Sequence, residues 1–377
     1  MLKLALMLCI PFAVSLVACF KSKGKITRKE VLVQLGLLTV LMAVGWFAAL
    51  SNRTSDTEIW SGRVTNKTKE NVGCCHSYKC HCHDVCRGTG KDRSCSEECD
   101  TCYRHGHDLE WNAVSSNDEL VYHNTCNAPS DSDPARWSRI VVGEPTAYPH
   151  AFTNYIKGNP DSIMSRQGVN AALVATVPEY PEVFDHYRVR RFLTAGQVNI
   201  PNIEGLNDRL SQLNAELGSV RQVNMIIMVA NTADQMYLEA VRQAWLGGKK
   251  NDLITVIGVR PADGKLELAW VGVVSWTKVE DIKIAIRDEI MAGGVFDGDR
   301  VLSVVRSQVA AKFVRRHMSD FEYMKATIEP TEGVQWALFA VGILLSVLLS
   351  WYFWVYDPFN DGPRFRYTGL YPKFGRR

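Results

Sequence analysis

Two long apolar segments without charged side chains constrain the fold of this 377-residue chain more than any other feature. Residues 31–50 form a segment of twenty residues, and residues 334–356 form one of twenty-three. An α-helix rises about 1.5 Å per residue and the hydrocarbon core of a bilayer is about 30 Å thick, so each segment can cross a membrane. The last six residues of the second segment include two tryptophans and two tyrosines, as is typical of a membrane surface. We therefore predict two transmembrane helices, with the lipid bilayer as their partner.

Residues 4–20 form a third, shorter apolar segment that contains Pro11. It fits a third transmembrane helix, a cleaved signal peptide, or a lipoprotein signal, since residues 16–19 (LVAC) resemble a bacterial lipobox. Either signal would export residues 21–30, whose five lysines and arginines resist translocation. We therefore favour a third transmembrane helix.

The positions of the cations predict the orientation of the chain. The loop 21–30 carries five lysines and arginines, and the tail 357–377 carries five more. Such segments usually stay in the cytoplasm, and three transmembrane helices allow both to do so. Residues 51–333 are then extracytoplasmic, in a bacterial periplasm or a eukaryotic lumen. We expect the bacterial inner membrane, with the central region in the periplasm.

The composition excludes one class of protein and argues against another. The chain has 46% hydrophobic residues and a net charge of only +3. Intrinsically disordered chains combine low hydrophobicity with a high net charge, so that class is excluded. Near-neutrality also argues against a nucleic-acid partner.

The sequence predicts an α+β membrane protein with two extracytoplasmic regions. Residues 51–195 are rich in Cys, His, Ser and Asn, with strand-like runs at 58–65, 107–114 and 136–143, so we predict a mostly β region. Residues 196–325 are more regular and indicate an α/β sandwich domain. The complete predicted order is a helix at 4–20, a basic loop at 21–30, a helix at 31–50, the β region at 51–195, the α/β domain at 196–325, a helix at 334–356 and a basic tail at 357–377.

The elements of the predicted α/β domain follow from hydrophobic periodicity. Leu206, Leu210, Leu213 and Leu217 fall on one face of a helix that should end near Gly218. The continuously apolar run 223–230 indicates a strand buried on both faces. The remaining predicted elements are a helix that begins near 236 and stops at Gly247 and Gly248, strands at 253–259 and 266–274 joined by the turn PADG, and helices at about 278–292 and 299–317.

This order of elements resembles the TPM domain, a family of thylakoid-lumen and bacterial membrane-anchored proteins. The likeness rests on residues 206–217, 223–230, 245–252 and 270–274, continues through Asp281 and the turn 296–299, and covers roughly residues 200–318. The resemblance implies an extracytoplasmic domain on a membrane anchor. It also implies either divalent-metal binding or acid phosphatase activity, as described for some members, or no catalytic chemistry. Val273 to Ser275 stand where the family has an acidic residue, which argues against catalysis. The plan of the whole chain is similar to uncharacterised membrane proteins of bacteria and large tailed phages.

Eight of the eleven cysteines lie within residues 74–102, with five histidines in or beside the cluster. In an oxidising compartment these cysteines would form up to four disulfides, whereas in a reducing one the thiolates and the imidazoles would bind zinc. The predicted topology favours disulfides, and zinc would require the reverse topology. Only Cys99 and Cys102 form a CxxC pair, so the paired knuckles of a zinc ribbon are missing. The disulfide candidates are Cys74, Cys75, Cys80, Cys82, Cys86, Cys95, Cys99, Cys102 and Cys126.

Cys126 makes the number of extracytoplasmic cysteines odd. It can be free, it can pair into the cluster and leave another thiol free, or it can bridge two subunits of a homo-oligomer. The sequence alone leaves these alternatives open.

Acidic side chains of the predicted α/β domain are candidate ligands for Ca²⁺ or Mg²⁺, because these ions prefer oxygen ligands. We select Asp252 and Asp281 from a set that also includes Asn251, Asp288, Asp297 and Asp299. The alternative, which we favour, places these residues in turns, helix caps and solvated helix faces.

We therefore expect an integral membrane protein without a cofactor, which displays a TPM-like domain for protein interaction or scaffolding in the cell envelope. Its partners would be other membrane or envelope proteins. One alternative is a membrane-tethered, divalent-metal-dependent phosphatase that cleaves phosphomonoesters. Another is a phage-encoded protein that remodels the host envelope.

Overall fold

The structure is a computed structural model, in which the chain divides into two compact units. One unit comprises residues 1–55 and 324–377, and the other comprises residues 56–323. The predicted cations of the C-terminal tail lie outside the described residues. The structure describes residues 2–87, 94–159, 168–184, 188–356 and 358–359.

Helices and strands follow each other in an α+β arrangement. The helices are α1 (Leu2–Lys21), α2 (Arg28–Thr54), α3 (Ala135–Arg139), α4 (Tyr155–Gly158), α5 (Ala171–Val174), α6 (Ile203–Arg221), α7 (Tyr237–Ala244), α8 (Asp281–Met291), α9 (Gly298–Lys312) and α10 (Glu332–Tyr356). The strands are β1 (Ser55–Val72), β2 (Ser77–Arg87), β3 (Ser94–Tyr103), β4 (Asp108–Ser115), β5 (Leu120–Asn127), β6 (Pro145–Thr153), β7 (Val183–Phe184), β8 (Arg188–Val189), β9 (Phe192–Ala195), β10 (Asn224–Asn231), β11 (Asp252–Ala262) and β12 (Lys265–Ser275). A 3₁₀ segment, Met318–Thr327, precedes α10.

Among the described residues of the first unit, three helices are long and apolar enough to cross a membrane: α1, α2 and α10. This finding confirms the apolar helices predicted at 31–50 and 334–356, and it shows a continuous helix over the N-terminal segment despite Pro11. The start of α2 is fixed by a capping box, in which the Thr27 side chain accepts from the Glu30 amide and the Glu30 side chain accepts from the Thr27 amide.

Polar contacts between the three helices supplement their apolar packing. Gln34 Nε2 of α2 donates to the Ser346 carbonyl oxygen at 2.8 Å and to Ser350 Oγ at 3.0 Å, both on α10. The hydroxyl oxygens of Ser15 and Ser346 lie 2.9 Å apart. Hydrogen bonds of this kind fix the relative positions of helices whose remaining contacts are apolar.

The basic loop and the C-terminal end of α10 lie at the same end of this unit. Lys25 Nζ is 4.8 Å from the ring centroid of Trp354, and Ile26 packs with Phe353. At the opposite end, Arg53 Nη1 donates to the Glu329 carbonyl oxygen at 2.6 Å. The cations of residues 21–30 are therefore concentrated at one end of the three-helix unit.

The first sheet of the second unit has the strand order β5-β4-β1-β6. Strand β4 pairs antiparallel with both β1 and β5. The core of this first sheet is small and includes Val64, Ala113, Val121 and Ile140, with Trp111 fully buried nearby. Strand β1 contains the run predicted at 58–65, and β4 contains residues 108–114 of the run predicted at 107–114.

The strand predicted at 136–143 is wrong, because residues 135–139 form helix α3 and the chain continues without regular structure. Aromatic anchoring explains the difference. Trp137 Nε1 donates to the Asn112 carbonyl oxygen at 3.1 Å, and its ring contacts Lys67, whose Nζ is 4.1 Å from the ring centroid. Ile140, the next residue after α3, is buried in the core of the first sheet. The apolar residues that suggested a strand are thus used to attach a helix to the sheet.

The second sheet has the order β12-β11-β10-β9, with β9, β10 and β11 parallel and β12 antiparallel. Helices α6, α8 and α9 cover one face, and α7 covers the other. Every residue of β10 from Asn224 to Ala230 is buried, as the run of apolar residues predicts. Helix α9 ends at Lys312 instead of continuing to 317, because Val314 turns away and pairs with Thr277 and Lys278.

Candidate functional site

A dense group of cysteine, histidine and aspartate residues lies in the hairpin formed by β2 and β3 and in the segments that connect this hairpin to β1 and β4. The two strands pair antiparallel and form a sheet of their own. Three disulfides join them across the hairpin: Cys80–Cys102, Cys82–Cys99 and Cys86–Cys95. None of the described residues 77–87 and 95–103 is buried. Covalent bonds therefore stabilise this hairpin, which lacks an apolar core. The presence of these disulfides confirms the prediction of disulfides in this segment.

A fourth disulfide lies at the base of the hairpin. It joins Cys75, in the link between β1 and β2, to Cys126 of β5. Eight of the nine candidate cysteines are thus paired, and Cys74 keeps a free thiol. This arrangement corresponds to the alternative in which Cys126 pairs into the cluster and leaves another thiol free. Cys99 and Cys102, the CxxC pair, bind different partners.

Four side chains of different chemistry converge at the same base. Cys74, His76, His105 and Asp108 each offer a donor atom, and these atoms all lie within 4.8 Å of one another. We call these four residues the base cluster. Asp108 begins β4 directly opposite Val72, the last residue of β1. The residues that follow β1 and those that precede β4 are therefore brought together by strand pairing.

Asp108 is the buried centre of the base cluster. Its Oδ2 accepts from the Cys75 amide at 2.7 Å, and its Oδ1 accepts from His76 Nδ1 at 3.2 Å and from His105 Nε2. Burial raises the pKa of Asp108, but the hydrogen bonds from Cys75, His105 and His76 outweigh it and lower the pKa to about 2. The carboxylate is therefore ionised at neutral pH.

A second buried polar group surrounds Asp252 at the start of β11. Tyr180 Oη lies 3.0 and 2.9 Å from its two carboxylate oxygens, Asn224 Nδ2 donates at 2.8 Å, and the Lys249 amide donates at 2.6 Å. Burial raises the pKa of Asp252 to about 6, although these hydrogen bonds act in the opposite direction. Both carboxylate oxygens are thus occupied by groups of the protein.

Arg191 extends this group to the first sheet. It is almost fully buried, its Nε donates to Asn224 Oδ1 at 2.6 Å, and its Nη2 donates to Ser61 Oγ of β1 at 2.6 Å. Burial lowers the pKa of Arg191 to about 10. The polar group around Asp252 thus joins β1 to the second sheet, and both sheets belong to the same compact unit.

The other acidic candidates lie at helix starts and on the surface. Asp281 begins α8 and accepts from Lys312 Nζ at 2.7 Å, with its side chain 66% exposed. Asp297 caps α9 by accepting from the amides of Asp299 and Arg300. Among the described residues, the sets of potential metal ligands that lie close together include neither Asp252 nor Asp281. Metal binding at those two residues stays a prediction.

Sequence reasoning missed the base cluster as a set. It considered zinc for the thiolates and imidazoles of the whole segment, but only in a reducing compartment, and it did not single out Cys74, His76, His105 and Asp108 together. The available signal was the pair of short spacings on the two sides of the hairpin, Cys74-x-His76 and His105-x-x-Asp108. No known protein family, curated protein or solved structure matches this chain.

Proposed function

We propose that this chain is a membrane-anchored protein whose residues 56–323 act outside the cytoplasm as a binding module for another protein of the cell envelope. The observation that carries this proposal is the β2–β3 hairpin, which has three disulfides and no buried side chain among its described residues. The proposed location is the bacterial inner membrane, with the module in the periplasm.

Three features support this location. Helices α1, α2 and α10 have the length and composition of transmembrane helices. The cations of residues 21–30 are concentrated at one end of the three-helix unit, as expected for its cytoplasmic end. The four disulfides indicate an oxidising compartment for the region between α2 and α10.

The surface of the hairpin supports a role in binding. Tyr78 and Tyr103 are 49% and 58% exposed, near the end of the hairpin that adjoins the base cluster. Tyrosine is enriched among the residues that dominate binding energy at protein interfaces. A hairpin already fixed by disulfides loses little conformational entropy on binding, so it is suited to contact a partner.

Reporter fusions test the proposed location. A reporter joined after Asp131 lies in the loop between β5 and α3. We expect alkaline phosphatase fused at this point to be active and a fluorescent protein that folds only in the cytoplasm to be dark. The opposite pattern would place the central region in the cytoplasm and contradict the proposal.

Site-specific photo-crosslinking tests the proposed binding. A photoreactive phenylalanine analogue would replace Tyr78 or Tyr103 in the full-length protein in cells. The matched control carries it at Val220 of α6, which is 75% exposed. We expect one defined product from the hairpin positions that the control does not give. Equal products from all three positions, or none from the hairpin, would count against the hairpin as the contact surface, and a product of twice the chain mass would identify a homo-oligomer.

A metal-dependent phosphatase stays the alternative drawn from the sequence. The occupation of both Asp252 oxygens by hydrogen bonds favours binding over catalysis. Hydrolysis of a generic phosphomonoester by the full-length protein with Mg²⁺, lost on Asp252→Asn, would favour the enzyme instead. Membership of the TPM family and a phage origin also stay proposals.

A further inference from the structure

We propose that the base cluster is a zinc site, in which Cys74 Sγ, the ring nitrogens of His76 and His105, and a carboxylate oxygen of Asp108 bind one Zn²⁺ ion. This inference does not depend on the proposed partner binding. Zinc and disulfides, which are alternatives for the cysteine cluster at the level of sequence, are then both present at neighbouring positions.

The donor set selects the type of metal. One thiolate, two imidazoles and one carboxylate match the tetrahedral combinations that zinc prefers, whereas Ca²⁺ and Mg²⁺ prefer oxygen ligands alone. Tetrahedral zinc bonds of about 2.0–2.3 Å place ligand atoms about 3.3–3.8 Å from each other. The observed donor atoms lie within 4.8 Å of one another, so small side-chain rotations bring them to these separations.

The backbone already holds the two ligand-bearing segments together. The Arg104 amide donates to the His76 carbonyl oxygen at 3.0 Å, which aligns the segment before β4 with the segment after β1. The Cys75 amide donates to Asp108 Oδ2, and the Cys75–Cys126 disulfide ties the same residue to β5. The ligands are thus assembled by contacts that do not use their metal-binding atoms, apart from the carboxylate group of Asp108. Such preassembly reduces the conformational entropy that metal binding costs.

Charge balance also favours a divalent cation at this place. Asp108 has no exposed side-chain surface, and its Oδ1 faces nitrogens of two imidazole rings. On binding, the Cys74 thiol releases its proton to solvent, and both histidines bind as neutral rings. The thiolate and the carboxylate then neutralise the two charges of Zn²⁺, so the occupied base cluster carries no net charge. In addition, Zn–ligand bonds replace the imidazole contacts with Asp108.

Four protein ligands leave no open coordination position, which is typical of structural zinc sites. The ion would fix the point at which the hairpin leaves the first sheet. It would also occupy the Cys74 thiol, which is adjacent in sequence to the Cys75–Cys126 disulfide. A free thiolate at this position can attack that disulfide, whereas coordination to zinc occupies the sulfur that would attack.

Metal analysis of the full-length protein tests the proposal. The protein would be produced in a bacterium with an oxidising periplasm, purified in detergent, incubated with Zn²⁺ and dialysed. We expect about one zinc per chain, and roughly tenfold less in Cys74→Ser and His105→Ala. His107→Ala is the matched control, because it removes an exposed neighbouring imidazole outside the cluster and should keep its zinc. Zinc well below one per chain in the unsubstituted protein, or equal zinc in Cys74→Ser, would overturn the proposal.

Two further measurements separate loss of the site from loss of the fold. Co²⁺ in place of Zn²⁺ should give a sulfur-to-cobalt charge-transfer band that is absent from Cys74→Ser, while peptide mapping shows the same four disulfides in both proteins. In the unsubstituted protein, alkylation of Cys74 should be slow with Zn²⁺ and become at least tenfold faster after chelation. An alkylation rate that does not respond to chelation would overturn the proposal without any substitution.

Discussion

The β2–β3 hairpin and the second sheet are stabilised by opposite means within one compact unit. None of the described hairpin residues is buried, whereas β10 is buried at every residue from Asn224 to Ala230. Covalent bonds restrict the first, and removal of apolar surface from water stabilises the second. We therefore expect the stability of the hairpin, unlike that of the second sheet, to depend on the redox state of its surroundings.

Reduction of the full-length protein should have the largest effect. Each disulfide of this kind contributes about 2–4 kcal/mol, and the hairpin has no core that could replace three of them. We expect a mild reductant to abolish hydrogen-exchange protection in β2 and β3 and to leave β10 and β11 protected. Hydrogen exchange followed by mass spectrometry measures both regions in one sample. Equal loss of protection in the two regions would show that the hairpin and the sheet are not independent.

Substitution in the second sheet should have the reverse selectivity. Ile227→Ala removes a fully buried side chain from β10 and should lower the free energy of unfolding of this domain by about 2–5 kcal/mol. Thr101→Ala, on the exposed surface of β3, is the control and should change it by less than about 0.5 kcal/mol. Urea unfolding followed by tryptophan fluorescence measures the difference. Similar losses for the two variants would contradict the comparison.

The pH dependence of stability should reveal the buried carboxylate that joins the two sheets. The pKa of Asp252 is raised to about 6, so between its usual pKa near 4 and that value the folded state binds more protons than the unfolded state. Stability therefore decreases as the pH rises through this range, by about 3 kcal/mol from this group.

Asp252→Asn should lack this decrease, so its stability relative to the unsubstituted protein should improve as the pH rises from about 4 to about 6. Urea unfolding at several pH values checks the result. Groups with lowered pKa values, such as Asp56, are shared by both proteins and cancel in the difference. A constant difference across the pH range would contradict the assigned role of Asp252.

The smallest effect is expected at Asp281 on the surface of the α/β domain. Its ion pair with Lys312 is solvent-exposed, so Asp281→Asn should change the free energy of unfolding by about 1 kcal/mol or less. The same variant tests the predicted metal role of this residue. A melting temperature that responds to Ca²⁺ in the unsubstituted protein and not in Asp281→Asn would establish that role, and equal curves would remove it.

The elements of the second sheet were accessible from the sequence because their signals are local. The apolar run of β10 predicts one strand that is buried on both faces. The leucine stripe of α6 predicts one helix and the face that it buries. The turn between β11 and β12 is similar, since Asp263 and Gly264 both adopt positive φ angles of 47° and 74°, as a two-residue hairpin requires. Pattern and conformation agree wherever neighbours in sequence decide the structure.

The base cluster and the disulfide pairing were not accessible for the opposite reason. Cys75 finds Cys126 across 51 residues, and Cys74 meets Asp108 only because β1 pairs with β4. Strand pairing between distant segments sets these contacts, and residue spacing alone does not encode it. The prediction of a strand at 136–143 was wrong for a related reason. Trp137 of α3 is positioned by its hydrogen bond to Asn112, which lies on strand β4.

The contacts of Gln34 have a consequence for the biogenesis of the chain. Its side-chain amide, on α2, finds its acceptors on α10, which is synthesised after the whole of residues 56–323. In the proposed membrane setting, α1 and α2 would enter the lipid before the Gln34 amide has its acceptors on α10. The central region would be exported and oxidised before α10 is inserted. The hydrogen bonds of Gln34 would then form last in assembly, because only a chain whose export is complete has inserted α10.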